Sequence, residues 1–366
     1  MDTTYRNPYI GHPSQLLRIN DYVMVSGFAH GIRATDIHNG PLSLTVCADK
    51  GMDFPYLSYK GMNIGYISPS GLVGSTYYDG EGKGFLQGFF AGFLTTCGLV
   101  NTGVAYDENG RHYGLHGRVN NIPAEEYAAK VVEENDRSYS VVSGKMREAV
   151  LYGEYMTLER QIVTECGKSE FSFVDHVVNR SFHSQQHMIL YHFNFGYPLL
   201  DENVELLIPH ISVKPQDGHS REKLDERLEF SKPTAGSREL SYFYKLCKDQ
   251  NGQTFAGIYN HKLGFGVVLE FDGNVLDHFL QWKLMKEGEY VLGLEPANAT
   301  TLGAVQERNL GHVKYLEPGE TRDYRFTVRI LEGCEDLNRM RKRVEDLQGG
   351  GKSIFQCGDM IKSKRS

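Results

Sequence analysis

Alternation with a period of two is the pattern that most restricts how this chain can fold. Tyr324, Phe326, Val328 and Ile330 are apolar, and Arg325, Thr327 and Arg329 stand between them. Successive side chains of a strand point to opposite faces, so such a run suits a strand with one face in a core and one in water. Phe171, Phe173 and Val177 repeat the pattern against Ser172, Val174 and His176. Tyr22 to Val25, Leu42 to Cys47 and Phe265 to Phe271 are further β-prone runs. Turn formers separate the runs: Asp107-Glu-Asn-Gly110, Gln250-Asn-Gly252, Asp272-Gly-Asn274 and Glu317-Pro-Gly319. Many short strands joined by such turns predict an all-β sandwich or barrel. The helix–strand alternation of a parallel sheet is missing.

Helix content is expected to stay under about a fifth. Leu337, Met340, Val344 and Leu347 fall at helical spacing and predict a helix over 334–347, ended by Gly349-Gly-Gly351. Pro123-Ala-Glu-Glu-Tyr-Ala-Ala-Lys-Val131 reads as a turn or two of helix. The charged stretch 214–241, with two prolines, reads as a long surface loop. No composition break divides the chain, so one domain is expected over 1–348, followed by a mobile basic tail over 349–366.

The net charge of −7 among 366 residues argues against a nucleic-acid partner. The chain starts without an apolar signal core and contains no run long enough to span a membrane. Its six cysteines are scattered and form no CxxC pair, which argues for free thiols in a soluble cytoplasmic protein and against a structural zinc site. The 22 tyrosines and 19 phenylalanines suit β-structure and a pocket for hydroxyl-rich ligands.

Three polar stretches stand out. Arg111-His-Tyr-Gly-Leu-His-Gly-Arg118 continues to Asn120, Asn121 and Pro123, and Gly114 and Gly117 let the backbone turn on either side of His116. A loop of this kind can aim His116 and Arg118 at a polar ligand, or can simply be solvated. In Tyr191-His-Phe-Asn-Phe-Gly-Tyr-Pro198, a strand would send His192 and Asn194 to the same side. The alternative there is a core histidine satisfied by a backbone partner. In Gly293-Leu-Glu-Pro-Ala-Asn298, Glu295 ends an apolar run, and desolvation would raise its pKa towards that of a useful base. Pairing with an arginine is the competing role. Gln281-Trp-Lys283 is a fourth polar spot. His112 and His116 are four apart, but Gly114 and Gly117 disfavour a helix between them, and His183, His187 and His192 match no ligand pattern, so no metal is expected. No GxSxG nucleophile motif is present, and Asp79-Gly-Glu-Gly-Lys-Gly84 lacks the ending of a phosphate-binding loop.

In order along the chain, Asp49-Lys-Gly-Met-Asp53, Thr95-Thr-Cys-Gly-Leu99, Leu115-His-Gly-Arg118, Tyr191 to Asp201, Trp282-Lys283, Gly293 to Asn298 and Leu316-Glu-Pro-Gly-Glu320 resemble the aldose 1-epimerase (galactose mutarotase-like) family. The similarity is to its DUF4432 branch and runs over nearly the whole chain. It implies a large galactose mutarotase-like β-sandwich of antiparallel strands that binds sugar on a concave sheet face. It also implies an isomerase that interconverts anomers of a monosaccharide by acid–base ring opening, with no cofactor. By resemblance, Glu295 is the base, His192 the acid and His116 the holding group. Asp53, Arg118, Asn298, Gln281 and Lys283 would contact hydroxyls, with Asn194 beside His192. Cys97 would pack at the cleft floor. Two departures concern substrate identity: Lys50 stands where the branch carries Arg, and Thr301 to Gln306 lacks a Gly-Arg pair. Another sugar isomerase, epimerase or lyase on this fold, or a non-catalytic carbohydrate-binding protein, are the alternatives.

Overall fold

The computed structural model describes residues 7–349. Two large antiparallel sheets face each other. The first has eight strands in the spatial order Glu125–Glu134, Arg137–Ala149, Tyr155–Glu165, Glu170–Asn179, Thr321–Glu332, Phe265–Asp272, Gln253–Asn260 and Val204–Leu207. The second orders His210–Pro215, Leu240–Leu246, His278–Lys286, Glu289–Ala297, Gln185–Phe195 and Lys314–Leu316, and Leu94–Leu99 also pairs with Gln185–Phe195. A five-stranded sheet from residues 18–63 closes one end. This is the all-β architecture that the alternating pattern specifies.

The alternation has its expected consequence. Tyr324, Phe326, Val328 and Ile330 are buried, while Arg325 is exposed. Phe173 and Phe326 sit side by side on neighbouring strands and stack at 4.9 Å. From the facing sheet, Ile189, Tyr191, Phe193 and Phe195 enter the same core. That core also takes in Ile37, Leu44 and Tyr59 of the five-stranded sheet, so all three sheets share it.

Helix amounts to 13 %. The helix predicted near the end runs over Gly333–Leu347, and Leu337 and Met340 bury against Phe255, Tyr259 and Val268. Those residues alternate with core residues such as Ala256, Ile258 and Val267, so the helix covers the outer face of the eight-stranded sheet. Beyond Gly349, the tail expected over 349–366 lies outside the described residues.

Two expectations are corrected. The segment after Pro123 is the edge strand Glu125–Glu134, not a helical turn. Its hairpin with Arg137–Ala149 turns through Asn135 and Asp136, both at positive φ (51° and 60°), a left-handed pair suited to joining twisted strands. Ladder pairing over the rest of the strand overrides the helix propensity of its alanines and glutamates. The 214–241 stretch is only partly loop: a strand extends to Pro215, a short helix spans Gly218–Glu222, and a strand begins at Leu240.

Candidate functional site

Register alone places His192 beside Glu295. Leu190 pairs with Ala297 and Phe193 with Leu294, so His192 and Glu295 stand opposite each other on adjacent central strands. Their side chains share the face turned away from the core, and His192 Nε2 lies 3.3 Å from Glu295 Oε1. Leu280 and Trp282 come to this face from the next strand, where Leu280 pairs with Glu295 and Trp282 with Gly293.

His116 arrives by a different route. It sits at φ 59°, followed by Gly117 at φ 71°. A Cβ on Gly117 would lie 2.3 Å from the Gly98 carbonyl oxygen, so only glycine lets the loop lie this close to the Leu94–Leu99 strand. Gly98 N–H donates to the His116 carbonyl, and Arg118 N–H donates to that of Gly98. The loop is thereby fastened to a strand that pairs with Gln185–Phe195. The His116 ring stands 6.1 Å from the His192 ring, centroid to centroid. Gly103 N–H donates to His116 Nδ1 at 3.3 Å, which places the imidazole proton on Nε2 and makes that nitrogen a donor.

These three side chains line one cleft of about 490 Å³. Its remaining walls are mostly apolar: Phe85, Leu86, Phe89, Leu115, Leu280 and Trp282. Phe85 packs on His116 and Phe89 on His192, each at 5.3 Å, while Trp282 meets His192 edge-on at 5.5 Å. Glu239, Ser241, Gln216 and Thr301 supply polar atoms at the margin.

Burial dominates the electrostatics. Among the described residues, neither carboxyl oxygen of Glu295 has a hydrogen-bond partner, nor does His192 Nδ1. Burial pushes the Glu295 carboxyl well above the ordinary carboxylate range. It pushes the His192 imidazole down to about 3, with the neighbouring His116 adding to the effect. His116 falls to about 4 for the same reason. Burial thus favours the neutral form of both groups. A neutral carboxylic acid beside a neutral imidazole holds as many protons as a carboxylate beside an imidazolium.

The remaining residues expected to contact sugar hydroxyls lie elsewhere, committed to other partners. Asp53 is fully buried, accepts from Thr96 N–H and Oγ1, and pairs with Arg160, which also holds Asp175. Its pKa is raised to about 6, because burial outweighs the attraction of Arg160. Arg118 turns into a separate pocket with Tyr78 and Arg111, where its Nε donates to Glu148 at 3.2 Å. Asn298 ties strands together, accepting from Ile189 N–H and donating to the His187 carbonyl. Gln281 and Lys283 flank Trp282, so period two turns them away from the cleft. Gln281 accepts from Tyr244 Oη and donates to the Arg227 carbonyl, while Lys283 donates to the carbonyls of Glu226 and Glu229. Asn194 shares the face of His192 but donates to the Ala91 carbonyl under the 85–93 segment and is not on the cleft wall. Lys50 is buried and donates to Asn121. Cys97 is buried with Leu190 and Ala297, as a small hydrophobe would be.

Sequence reasoning passed over Phe85, Phe89, Glu239 and Ser241. For the last two a signal existed, since they flank the buried Leu240 at the start of the Leu240–Leu246 strand. Phe85 and Phe89 reach the site from a segment that no periodicity ties to it.

The family model described as a domain of unknown function, DUF4432, matches residues 29–330. No curated protein matches the chain. A crystal structure from Klebsiella pneumoniae subsp. pneumoniae MGH 78578, named a "putative aldose 1-epimerase", is 25 % identical with a TM-score of 0.87, over 91 % of this chain and 88 % of that one. A galactose mutarotase-like protein from Clostridium acetobutylicum shares the fold at 15 % identity and TM-score 0.59, over 87 % of this chain and 99 % of that one. Galactose 1-epimerase from Lactobacillus acidophilus NCFM does so at 10 % identity and TM-score 0.57, over 87 % and 100 %.

Proposed function

Because this chain belongs to the DUF4432 family and has the galactose mutarotase-like fold, we propose that it is an isomerase that interconverts the anomers of a monosaccharide. The observation that carries this reading is the contact of His192 Nε2 with Glu295 Oε1 at 3.3 Å, inside a cleft that His116 also lines. Opening a cyclic hemiacetal requires one proton to leave the anomeric hydroxyl and another to reach the ring oxygen. Sugar hydroxyls bring hydrogen bonds to the two bare oxygens of Glu295, which favours the carboxylate and passes its proton to His192. Glu295 then takes the anomeric proton while His192 protonates the ring oxygen. The open aldehyde turns about C1–C2 and closes on its other face, with both proton transfers reversed. His116 Nε2–H holds a sugar oxygen throughout, and the faces of Trp282, Phe85 and Phe89 cover the C–H surface of the ring.

The test is anomer exchange, measured by saturation-transfer NMR on sugars that raise the melting temperature in a monosaccharide screen. Glu295→Gln should lower kcat by about 10²–10⁴-fold with little change in sugar affinity. Exchange by Glu295→Gln at the wild-type rate would remove Glu295 from the mechanism. Sugar binding by an inert wild type would replace the isomerase with a carbohydrate-binding protein.

A further inference from the structure

On the outer flank of the cleft wall, His278, Glu307 and His312 each bring one ligand atom to within 4.8 Å of the others. His278 opens a central strand, Glu307 lies on the short helix Ala304–Asn309, and His312 lies just after it. His312 Nδ1 is 3.6 Å from Glu307 Oε2, close to the separation of about 3.4 Å between two ligands of a tetrahedral zinc ion. The two imidazole rings are 5.9 Å apart.

The surroundings match those of a ligand set. His278 Nδ1 lies 2.9 Å from Asp277 Oδ1, so with that proton on Nδ1 the lone pair is left on Nε2. A carboxylate behind a histidine is the usual support of a ligating imidazole. Asp277 is itself balanced by Lys314 Nζ, which also donates to the Asn298 carbonyl. Glu307 is fully buried, and Thr300 holds it through N–H and Oγ1 at 3.3 and 2.5 Å. A buried carboxylate aimed at two imidazoles is a poor arrangement for a plain surface ion pair and a good one for a cation. Nitrogen and oxygen donors in this ratio suit zinc and its neighbours among the first-row metals.

We propose that His278, Glu307 and His312 bind a divalent transition-metal ion of the zinc type. The ion would fasten the 300–312 segment to the central sheet. Thr301 of that segment lines the cleft, and its carbonyl accepts from Val104 N–H, so the ion would stiffen one cleft wall from outside.

Zn²⁺ alone is the probe, titrated by calorimetry into a Cys334→Ser/Cys357→Ser chain so that neither thiol competes. One Zn²⁺ should bind per chain and raise the melting temperature, EDTA should reverse the shift, and Co²⁺ in its place should give the visible bands of a tetrahedral site. His278→Ala and the exposed-site variant His312→Ala should each abolish one-to-one binding, with circular dichroism unchanged. Asp277→Asn should weaken it by about 10–100-fold. The proposal fails if the Cys334→Ser/Cys357→Ser chain binds no stoichiometric Zn²⁺, or if folded His312→Ala binds it as tightly as the parent.

Discussion

Glu295 owes its chemistry to what its two oxygens lack. With no hydrogen bond and no arginine among the described residues to favour the charge, burial favours the protonated carboxyl and the neutral form of the adjacent imidazole. The pH dependence follows. The competent proton count is lost on the acid side only when His116 or His192 gains a proton, at about 4 and about 3. On the acid side kcat/KM should therefore show no limb near pH 6.5, where an ordinary histidine titrates, and should fall only near pH 4. An acid limb centred on 6.5 in a pH–rate profile would contradict the buried, neutral pair. Stability carries the opposite signature for the carboxyl. A folded-state pKa above the unfolded value means stability present at low pH and lost as pH rises from the unfolded value through the folded one. Glu295→Gln should thus raise the melting temperature at neutral pH, and the gain should vanish below pH 4.5. Calorimetry at both pH values checks this. Gly293 lies under the same pair: a Cβ there would sit 2.6 Å from Glu295 Oε1 and 3.2 Å from His192 Cε1. Gly293→Ala should lower kcat by about 10²-fold through misplacement of the carboxyl. Full activity in that variant would mean the pair tolerates displacement.

At the scale of elements, the site is a product of strand pairing and one tethered loop. Two neighbouring strands place His192 opposite Glu295 because each carries its polar residue at the same register position. The His116 loop is held by backbone bonds to Gly98 rather than by its own periodicity. Asp53 marks the boundary between site and scaffold. It joins a short bridge, Cys47 to Asp53, to Thr96 on one sheet and Arg160 on the other. Asp53→Asn would leave Arg160 with one carboxylate fewer in a fully buried place. It should cost about 3 kcal/mol in denaturant unfolding while KM for the sugar stays unchanged. A raised KM at unchanged stability would return Asp53 to a sugar-contacting role.

Over the whole molecule, one core joins the two facing sheets and the five-stranded sheet, and the last helix packs on the far side from the cleft. We propose that residues 7–349 behave as a single domain. Scanning calorimetry should give one transition, with calorimetric and van't Hoff enthalpies equal, and anomer exchange should disappear in that same transition. Two resolved transitions would divide the chain. Among the described residues no helix is long and apolar enough to cross a membrane.

The all-β class, the strands over 171–177 and 324–330, and the final helix were all written locally, because burial on one face forces a period that neighbours along the chain must obey. His192, Asn194, Glu295 and His116 could be singled out because polar groups in apolar or glycine-bounded settings are costly unless used. The partners of the other polar residues depended on the tertiary structure. Asp53, Asn298, Gln281 and Lys283 are as polar in sequence as Glu295, yet elements far away in the chain reach them first: Arg160, the strand at 187–189, and the carbonyls of 226–229. Glu295 differs in that no described residue hydrogen-bonds its oxygens, although the His192 ring comes within 3.3 Å of one of them. A side chain's type determines that it needs a partner, whereas packing determines whether that partner is the protein itself or a ligand.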